Sequence, residues 1–266
     1  MKAKGLILFD YDGTLVDGSI GVHEMSEETR RALLEAKKNG YKLILSSGRT
    51  LATSKQVSEL FDGFIMTNGA YAELEGRVYE SHYIPKDVVA EITEYFEGKH
   101  DIGYANIETQ HYAYCTKKGS DLYERFMSYF NLDRSVFSQW NGEIDDNYYK
   151  IILMYTDPAF FDAIEQIAAG KVEIVDHPTE DYTEITALGC TKGAALRSIV
   201  EQTGMDFDQV YAFGDSENDY TMLKEAGHGV AMGKHSPMLD EVAEFVTKTV
   251  EEEGISFGLK HYGIIE

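Results

Sequence analysis

The stretch that most constrains this chain lies at its start, where Leu6, Ile7, Leu8 and Phe9 run apolar without alternation and Asp10, Tyr11, Asp12, Gly13 and Thr14 follow at once. A short continuous apolar run fits a strand buried on both faces, as in a parallel sheet covered by helices. Gly13 and Thr14 break such a strand. In an open α/β sheet, ligands dock in the crevice outside the carboxyl ends of the strands, so Asp10 and Asp12 are expected where small molecules bind. Alone, the tetrad also reads as an ordinary turn, because Asp and Gly are both turn formers.

A second apolar run, residues 210–213, ends in Gly214, Asp215, Ser216, Glu217, Asn218 and Asp219. Between the two acidic ends, Leu43, Ile44 and Leu45 lead into Ser46, Ser47, Gly48 and Arg49, and Thr191, Lys192 and Gly193 open a helical pattern. These four pieces, in this order, resemble the four motifs of haloacid dehalogenase-type (HAD) phosphatases. Ser47 follows Asp12 too closely for a domain to be inserted between the first two motifs, so the insertion falls between the second and third. That placement, together with Asn68, Gly69 and Ala70, resembles the Cof-type subfamily with its type IIB cap. The resemblance implies an α/β fold: a doubly wound parallel-sheet, Rossmann-like core of residues 1–82 and 185–266, with an inserted α+β cap at residues 83–184 that selects substrate.

The pattern along the chain agrees with a doubly wound core. Ser26, followed by Glu27 and Glu28, starts a capped helix with Ala32, Leu33 and Ala36 on one face, and Asn39 and Gly40 end it. A strand over residues 41–45, a helix over 51–60, a strand over 64–67 and a hairpin of 71–74 with 78–82 follow. In the tyrosine-rich insertion, helices are expected at residues 85–96, 120–130 and 157–168, and strands at 150–155 and 172–175. A helix over 192–202, a strand over 209–213, a helix over 217–226 and short strands at 229–232 and 245–247 complete the core.

With 24 basic and 46 acidic side chains among 266 residues the formal charge is -22, a balance that excludes a nucleic-acid patch. A phosphorylated substrate is repelled at long range, so a local cluster of cation, lysine and backbone N–H groups has to outweigh the global field. Hydrophobic content of 43% is enough for real cores. The first apolar run is too short for a signal-peptide core or a membrane span, and the expected setting is cytoplasmic, with no membrane partner and a monomer or weak homodimer. Cys115 and Cys190 do not make a disulfide framework, and the eight histidines lack the spacing of a zinc site.

By resemblance, Asp10 is the nucleophile that forms an aspartyl-phosphate, and Asp12 is the general acid and base. Asp12 shares a face with Asp10 if the backbone stays extended, with Tyr11 pointing away. Mg2+ is the implied cofactor, held by Asp10, Asp215 and the backbone carbonyl of Asp12. Asp219 would sit outside the ligand set, holding Lys192 or a metal-bound water. Ser47, Gly48, Lys192 and Asn218 are the implied phosphate contacts. Arg49 and Asn68 lie beside strand ends and either face substrate or the inserted domain or serve the structure. Tyr104, Asn106, Tyr112, Tyr148 and Tyr149 of the insertion are able to touch a leaving group, and none is assigned. The expected function is Mg2+-dependent hydrolysis of a phosphate monoester of a small metabolite, a sugar phosphate first and a phosphorylated cofactor second. Two alternatives stand beside it: a phosphomutase of the phosphomannomutase type, which typically carries Gly-Gly-Asn-Asp where this chain has Ser216, Glu217, Asn218 and Asp219, and a non-catalytic phosphate-binding protein.

Overall fold

The computed structural model describes residues 3–54, 58–99, 102–130, 132–144, 147–157, 159–177 and 181–266. The chain divides into two compact units, one of Met1–Gly48, Gln56–Ser81 and Cys190–Glu266, the other of Arg49–Lys55 and His82–Gly189. The first opens with strand β1 (Gly5–Asp10), helix α1 (Glu27–Lys38) and strands β2 (Tyr41–Ser46), β3 (Gly63–Met66), β4 (Tyr71–Leu74) and β5 (Arg77–Ser81). The second contains α2 (Lys86–Phe96), β6 (Gly103–Glu108), β7 (Ala113–Cys115), α3 (Asp121–Tyr129), β8 (Phe137–Gln139), β9 (Lys150–Tyr155), α4 (Ala159–Ala168), β10 (Val172–His177) and β11 (Tyr182–Ala187). The first unit then resumes with α5 (Lys192–Thr203), β12 (Val210–Gly214), α6 (Tyr220–Glu225), β13 (His228–Ala231), β14 (Phe245–Val246) and α7 (Gly254–His261).

In the first unit the strand order is β14-β13-β12-β1-β2-β3-β4-β5. All pairs are parallel up to β3, and β4 and β5 turn back as an antiparallel edge. The chain winds from β1 outward through β2 and β3, then returns to the other side of β1 as β12. Strand order therefore reverses between β1 and β12, which opens a crevice at their carboxyl ends. Every residue of β1 is buried, which explains the unalternating run: Leu6 and Leu8 pack with Leu196, Ile199 and Val200 of α5, while Phe9 stacks on Phe213 at 5.2 Å. Helix α1 is capped by Ser26, whose Oγ accepts from Thr29 N–H at 2.9 Å and donates to Glu253 at 2.7 Å.

The second unit is a six-stranded sheet in the order β10-β11-β9-β6-β7-β8, antiparallel except for the β7–β8 pair. Helices α2 and α4 cover one face, with Ile92, Phe96, Phe160 and Ile164 against Ile107, Ile151 and Leu153. Helix α3 covers part of the other, setting Phe126 and Met127 against Tyr104 and Met154.

Several expected boundaries move. Of the helix expected over residues 51–60, a 3-10 turn at Leu51–Thr53 forms, and residues 55–57 lie outside the described part. The helix expected from 217 starts as a 3-10 turn, Glu217–Asp219, before α6. Strands β6, β7, β8 and β11 and helix α7 were not anticipated; in β6 the buried polar residues Asn106 and Glu108 interrupt the apolar pattern that marks a strand. The junction expected after Glu184 falls inside β11, which pairs with β10 from Tyr182 to Ala187. Among the described residues no helix is long and apolar enough to cross a membrane.

Gly69 and Gly76 both have left-handed φ, 97° and 79°, but a Cβ at Gly69 would collide with the Thr191 carbonyl while one at Gly76 meets nothing within 4 Å. We expect Gly76→Ala to cost about 1 kcal/mol, the backbone penalty alone, and Gly69→Ala at least about twice that. Urea unfolding of the two variants checks this; equal costs would mean the loop at Gly69 yields freely.

Candidate active site

Three strand ends and one helix start build the site. Asp10 is the last residue of β1 and 4% exposed; Asp215 directly follows β12. Lys192 is the first residue of α5, whose N-cap is Thr191, the side chain accepting from Ala194 N–H at 3.1 Å. The Lys192 ammonium is fully buried and donates to Asp10 Oδ1 and Asp219 Oδ1, each at 2.6 Å. Asp219 uses its second oxygen as well, Oδ2 accepting from the N–H groups of Asp215 and Ser216 at 3.0 and 3.1 Å. Carboxylate oxygens of Asp10, Asp215 and Asp219 all lie within 4.8 Å of one another.

Charge in this cluster is unbalanced. Burial alone favours the neutral amine of Lys192, but Asp10 and Asp219 outweigh it and hold the ammonium charged. Burial pushes the Asp10 carboxyl up; Lys192 pulls it down, and Asp219 and Asp215 push it up again. Asp215 is pushed up to about 7, by burial first and the Asp219 charge next, against a hydrogen bond from Thr14 Oγ1 at 3.1 Å. Three carboxylates face one ammonium, and all the ligand atoms are hard oxygens. That composition fits a divalent cation such as Mg2+, which would restore neutrality. Because both oxygens of Asp219 are taken by Lys192 and by backbone N–H groups, Asp10 and Asp215 are the better placed ligands, and Asp219 holds them in position.

The turn after β1 is tight. Leu15 and Val16 N–H both donate to the Tyr11 carbonyl, at 3.0 and 3.1 Å, and Gly13 N–H donates to the Val16 carbonyl at 2.6 Å. Gly13 has φ 90°, and a Cβ there would run into the Asp215 carboxylate, so glycine is required for the acids to come together. Asp12 is exposed and Tyr11 buried, as alternation suggested, but β1 stops at Asp10, so this turn rather than an extended strand sets the place of Asp12.

Ser47 is buried at the end of β2, its N–H donating to the Ile65 carbonyl at 2.8 Å and its carbonyl accepting from Asn68 N–H at 3.1 Å. Asn218 Nδ2 donates to Asn68 Oδ1 at 3.0 Å, and Ser216 Oγ donates to Asn218 Oδ1 at 2.8 Å. Thr67 and Asn68 hold left-handed φ of 53° and 52°, a conformation that costs a β-branched residue most. Thr14 and the Asn68–Asn218 link are parts of the site that the motifs did not assign. Thr14 stood inside the first motif, whereas no local pattern joins residues 68 and 218.

The fold and these acids describe an α/β protein with a cluster of carboxylates gathered at its strand ends. A family model for haloacid dehalogenase-like hydrolases matches residues 7–259, and the chain belongs to that family. It is 27% identical to the 5-amino-6-(5-phospho-D-ribitylamino)uracil phosphatase YcsE of Bacillus subtilis, over 97% of this chain and 95% of that one. It is 28% identical to the phosphatase YwpJ of the same organism, over 96% and 99% of the two chains. Among solved structures it is similar to the HAD subclass IIB sugar phosphatase BT4131 (TM-score 0.76, 26% identity, 98% and 100% coverage). It is also similar to TM0651 from Thermotoga maritima (TM-score 0.81, 27% identity, 97% of each chain). The chain is a HAD-type phosphatase.

The raised Asp215 pKa has a sign that can be checked. Its folded value lies above the unfolded carboxylate value, so the cluster costs stability above about pH 7, and this cost fades as pH falls toward the unfolded pKa near about 4. We expect Asp215→Asn, melted in EDTA, to be a few degrees more stable than the native chain at pH 8 and to lose that advantage at pH 5. A pH-independent difference would contradict the charge imbalance.

Proposed function

We propose that this phosphatase hydrolyses phosphate monoesters of small metabolites through an aspartyl-phosphate on Asp10, with Mg2+ as cofactor and the inserted segment, His82–Gly189, selecting the alcohol. The observation that carries the reading is the Asp10 carboxylate held at 2.6 Å by a buried Lys192, with Asp215 beside it. An Asp10 oxygen attacks phosphorus and the bond to the leaving oxygen breaks, with Asp12 giving its proton to the departing alkoxide. Asp12 then takes a proton from water, whose oxygen attacks the phosphoryl group and frees Asp10 and inorganic phosphate. Ser47, the Gly48 N–H, Lys192 and Asn218 hold the phosphoryl oxygens as charge moves. When bound at Asp10, Asp215 and the Asp12 carbonyl, Mg2+ supplies the positive charge that lets an anionic nucleophile approach an anionic ester. Exposure of Asp12 supports its role, since a group that serves both an alcohol and a water must be reached by both.

The names of relatives support a polyhydroxylated substrate: one acts on a phosphoribityl compound and another is a sugar phosphatase. The same reading places the enzyme in the cytoplasm as a monomer or weak homodimer. Ser216 and Glu217 in place of a Gly-Gly pair speak for hydrolysis over the mutase alternative, and the general acid Asp12 speaks against a mere binder.

In an assay with a chromogenic phosphate ester, we expect turnover to require Mg2+, to stop with a chelator and to be poorly supported by Ca2+. Asp10→Asn should fold and lose activity by at least about a thousandfold, the scale of removing a nucleophile. Asp12→Asn should lose far more on alkyl than on nitrophenyl phosphates, since only the former need a proton on departure. Full activity after exhaustive chelation, or substantial turnover by folded Asp10→Asn, would sink the mechanism.

A further inference from the structure

The turn from β3 to β4 is more strained than a hairpin requires. Thr67, Asn68 and Gly69 hold left-handed φ of 53°, 52° and 97° in succession, and Ala70 N–H closes the turn on the Thr67 carbonyl at 3.1 Å. An Asn-Gly pair suits such a turn, because both residues tolerate positive φ between antiparallel strands. That accounts for Asn68 and Gly69. It does not account for Thr67, which is β-branched, fully buried and held in the same region. Strain of this kind persists only where the surroundings fix the backbone.

Those surroundings are residues 47–48, 191 and 216–218, all in the first unit. Asn68 N–H donates to the Ser47 carbonyl at 3.1 Å, and a Cβ on Gly48 would lie 3.2 Å from Asn68 Oδ1. A Cβ on Gly69 would lie 2.2 Å from the Thr191 carbonyl oxygen, next to Lys192. Asn218 meets the turn from a third side. Its Oδ1 accepts from Ser216 Oγ at 2.8 Å, and its Nδ2 donates to Asn68 Oδ1 at 3.0 Å. A carboxamide nitrogen carries two hydrogens, so Asn218, held at both ends, keeps one N–H without an acceptor among the described residues. Asn218 is exposed, and a hydrogen bond there adds little to the fold. Its effect is on orientation, since a reversed amide would put an oxygen where this one has N–H.

We propose that Asn68 is a positioning residue of the phosphatase: it fixes the carboxamide of Asn218 so that an N–H, and not the carbonyl oxygen, is offered to the phosphoryl group. This deepens the phosphatase reading and rests on it. Asn68 touches no reacting atom; the strained turn sets where it stands, and it acts through Asn218. Asparagine suits both tasks. It tolerates left-handed φ, and it carries an acceptor that glycine, equally at ease with the backbone, lacks.

The test is a double-mutant cycle of Asn68→Gly and Asn218→Ala on the full chain, with a chromogenic phosphate ester and Mg2+. Inorganic phosphate, the product, serves as inhibitor and reports binding apart from turnover. We expect each single variant to raise KM and the inhibition constant of phosphate by about tenfold, with kcat lowered by less than about threefold, the pattern of a contact made before as well as during reaction. The double variant should be no worse than Asn218→Ala alone. Asn68→Gly should melt close to the native chain, since glycine accepts this backbone. If it does not fold, Asn68→Ser, shorter by one bond, takes its place in the cycle. Additive losses in the double variant, or an Asn68 variant that melts lower while KM and phosphate inhibition stay unchanged, would overturn the positioning role and leave the phosphatase reading standing. Calorimetric phosphate binding that both variants weaken non-additively, in a native chain that turns over no ester, would uphold the pair and overturn the phosphatase reading.

Discussion

A single ammonium group organises the acidic centre. Lys192 is wholly buried, and it is tolerable there only because Asp10 and Asp219 accept from it. The pairing is mutual: without Lys192 two carboxylates would be stranded in a site that already holds an excess of negative charge. Each partner comes from a different part of the chain, so this one contact ties the end of β1 to the start of α5 and the turn after β12. The capping of that turn by Asp219 then fixes where Asp215 points.

The sheet explains why these groups meet at all. Parallel strands deliver their carboxyl ends to the same edge, and the reversal of order between β1 and β12 leaves a crevice there. Small residues make the approach possible. Gly13 admits the Asp215 carboxylate, Gly214 leaves room for Asp219, and Gly69 lets the loop after β3 lie against the first residues of α5. Those positions tolerate no side chain because backbone and carboxylates occupy the space a Cβ would need. Stability is spent at this edge: like charges are gathered, and Thr67 and Asn68 are held in left-handed conformations. The apolar cluster beneath, built on Leu6, Leu8, Leu196 and Val200, bears that cost.

The second unit divides its sheet differently. One face is a conventional apolar layer under α2 and α4, while the other changes along its length from aromatic to charged. That change also hid the strands from a reading of periodicity. A strand carrying Asn106 and Glu108 on its buried face shows neither a continuous apolar run nor a clean alternation, and its identity rests on pairing with β9, residues away in sequence.

Some of this protein could be read from one dimension. The apolar runs ending in acids at Asp10 and Asp215, the capped helix after Ser26, the lysine opening a helix at 192 and the spacing of the motifs all express local rules: burial on two faces, capping, turn chemistry. Core architecture follows from them, and the order of the motifs carries the resemblance to the family. What tertiary structure alone decided depends on contacts between distant residues. The use of both Asp219 oxygens, the Thr14 bond to Asp215, the Asn68–Asn218 link and the polar patch on the second sheet have no local pattern. They exist because strands far apart in sequence are brought into register, and register is set by the packing of the whole sheet rather than by any one segment.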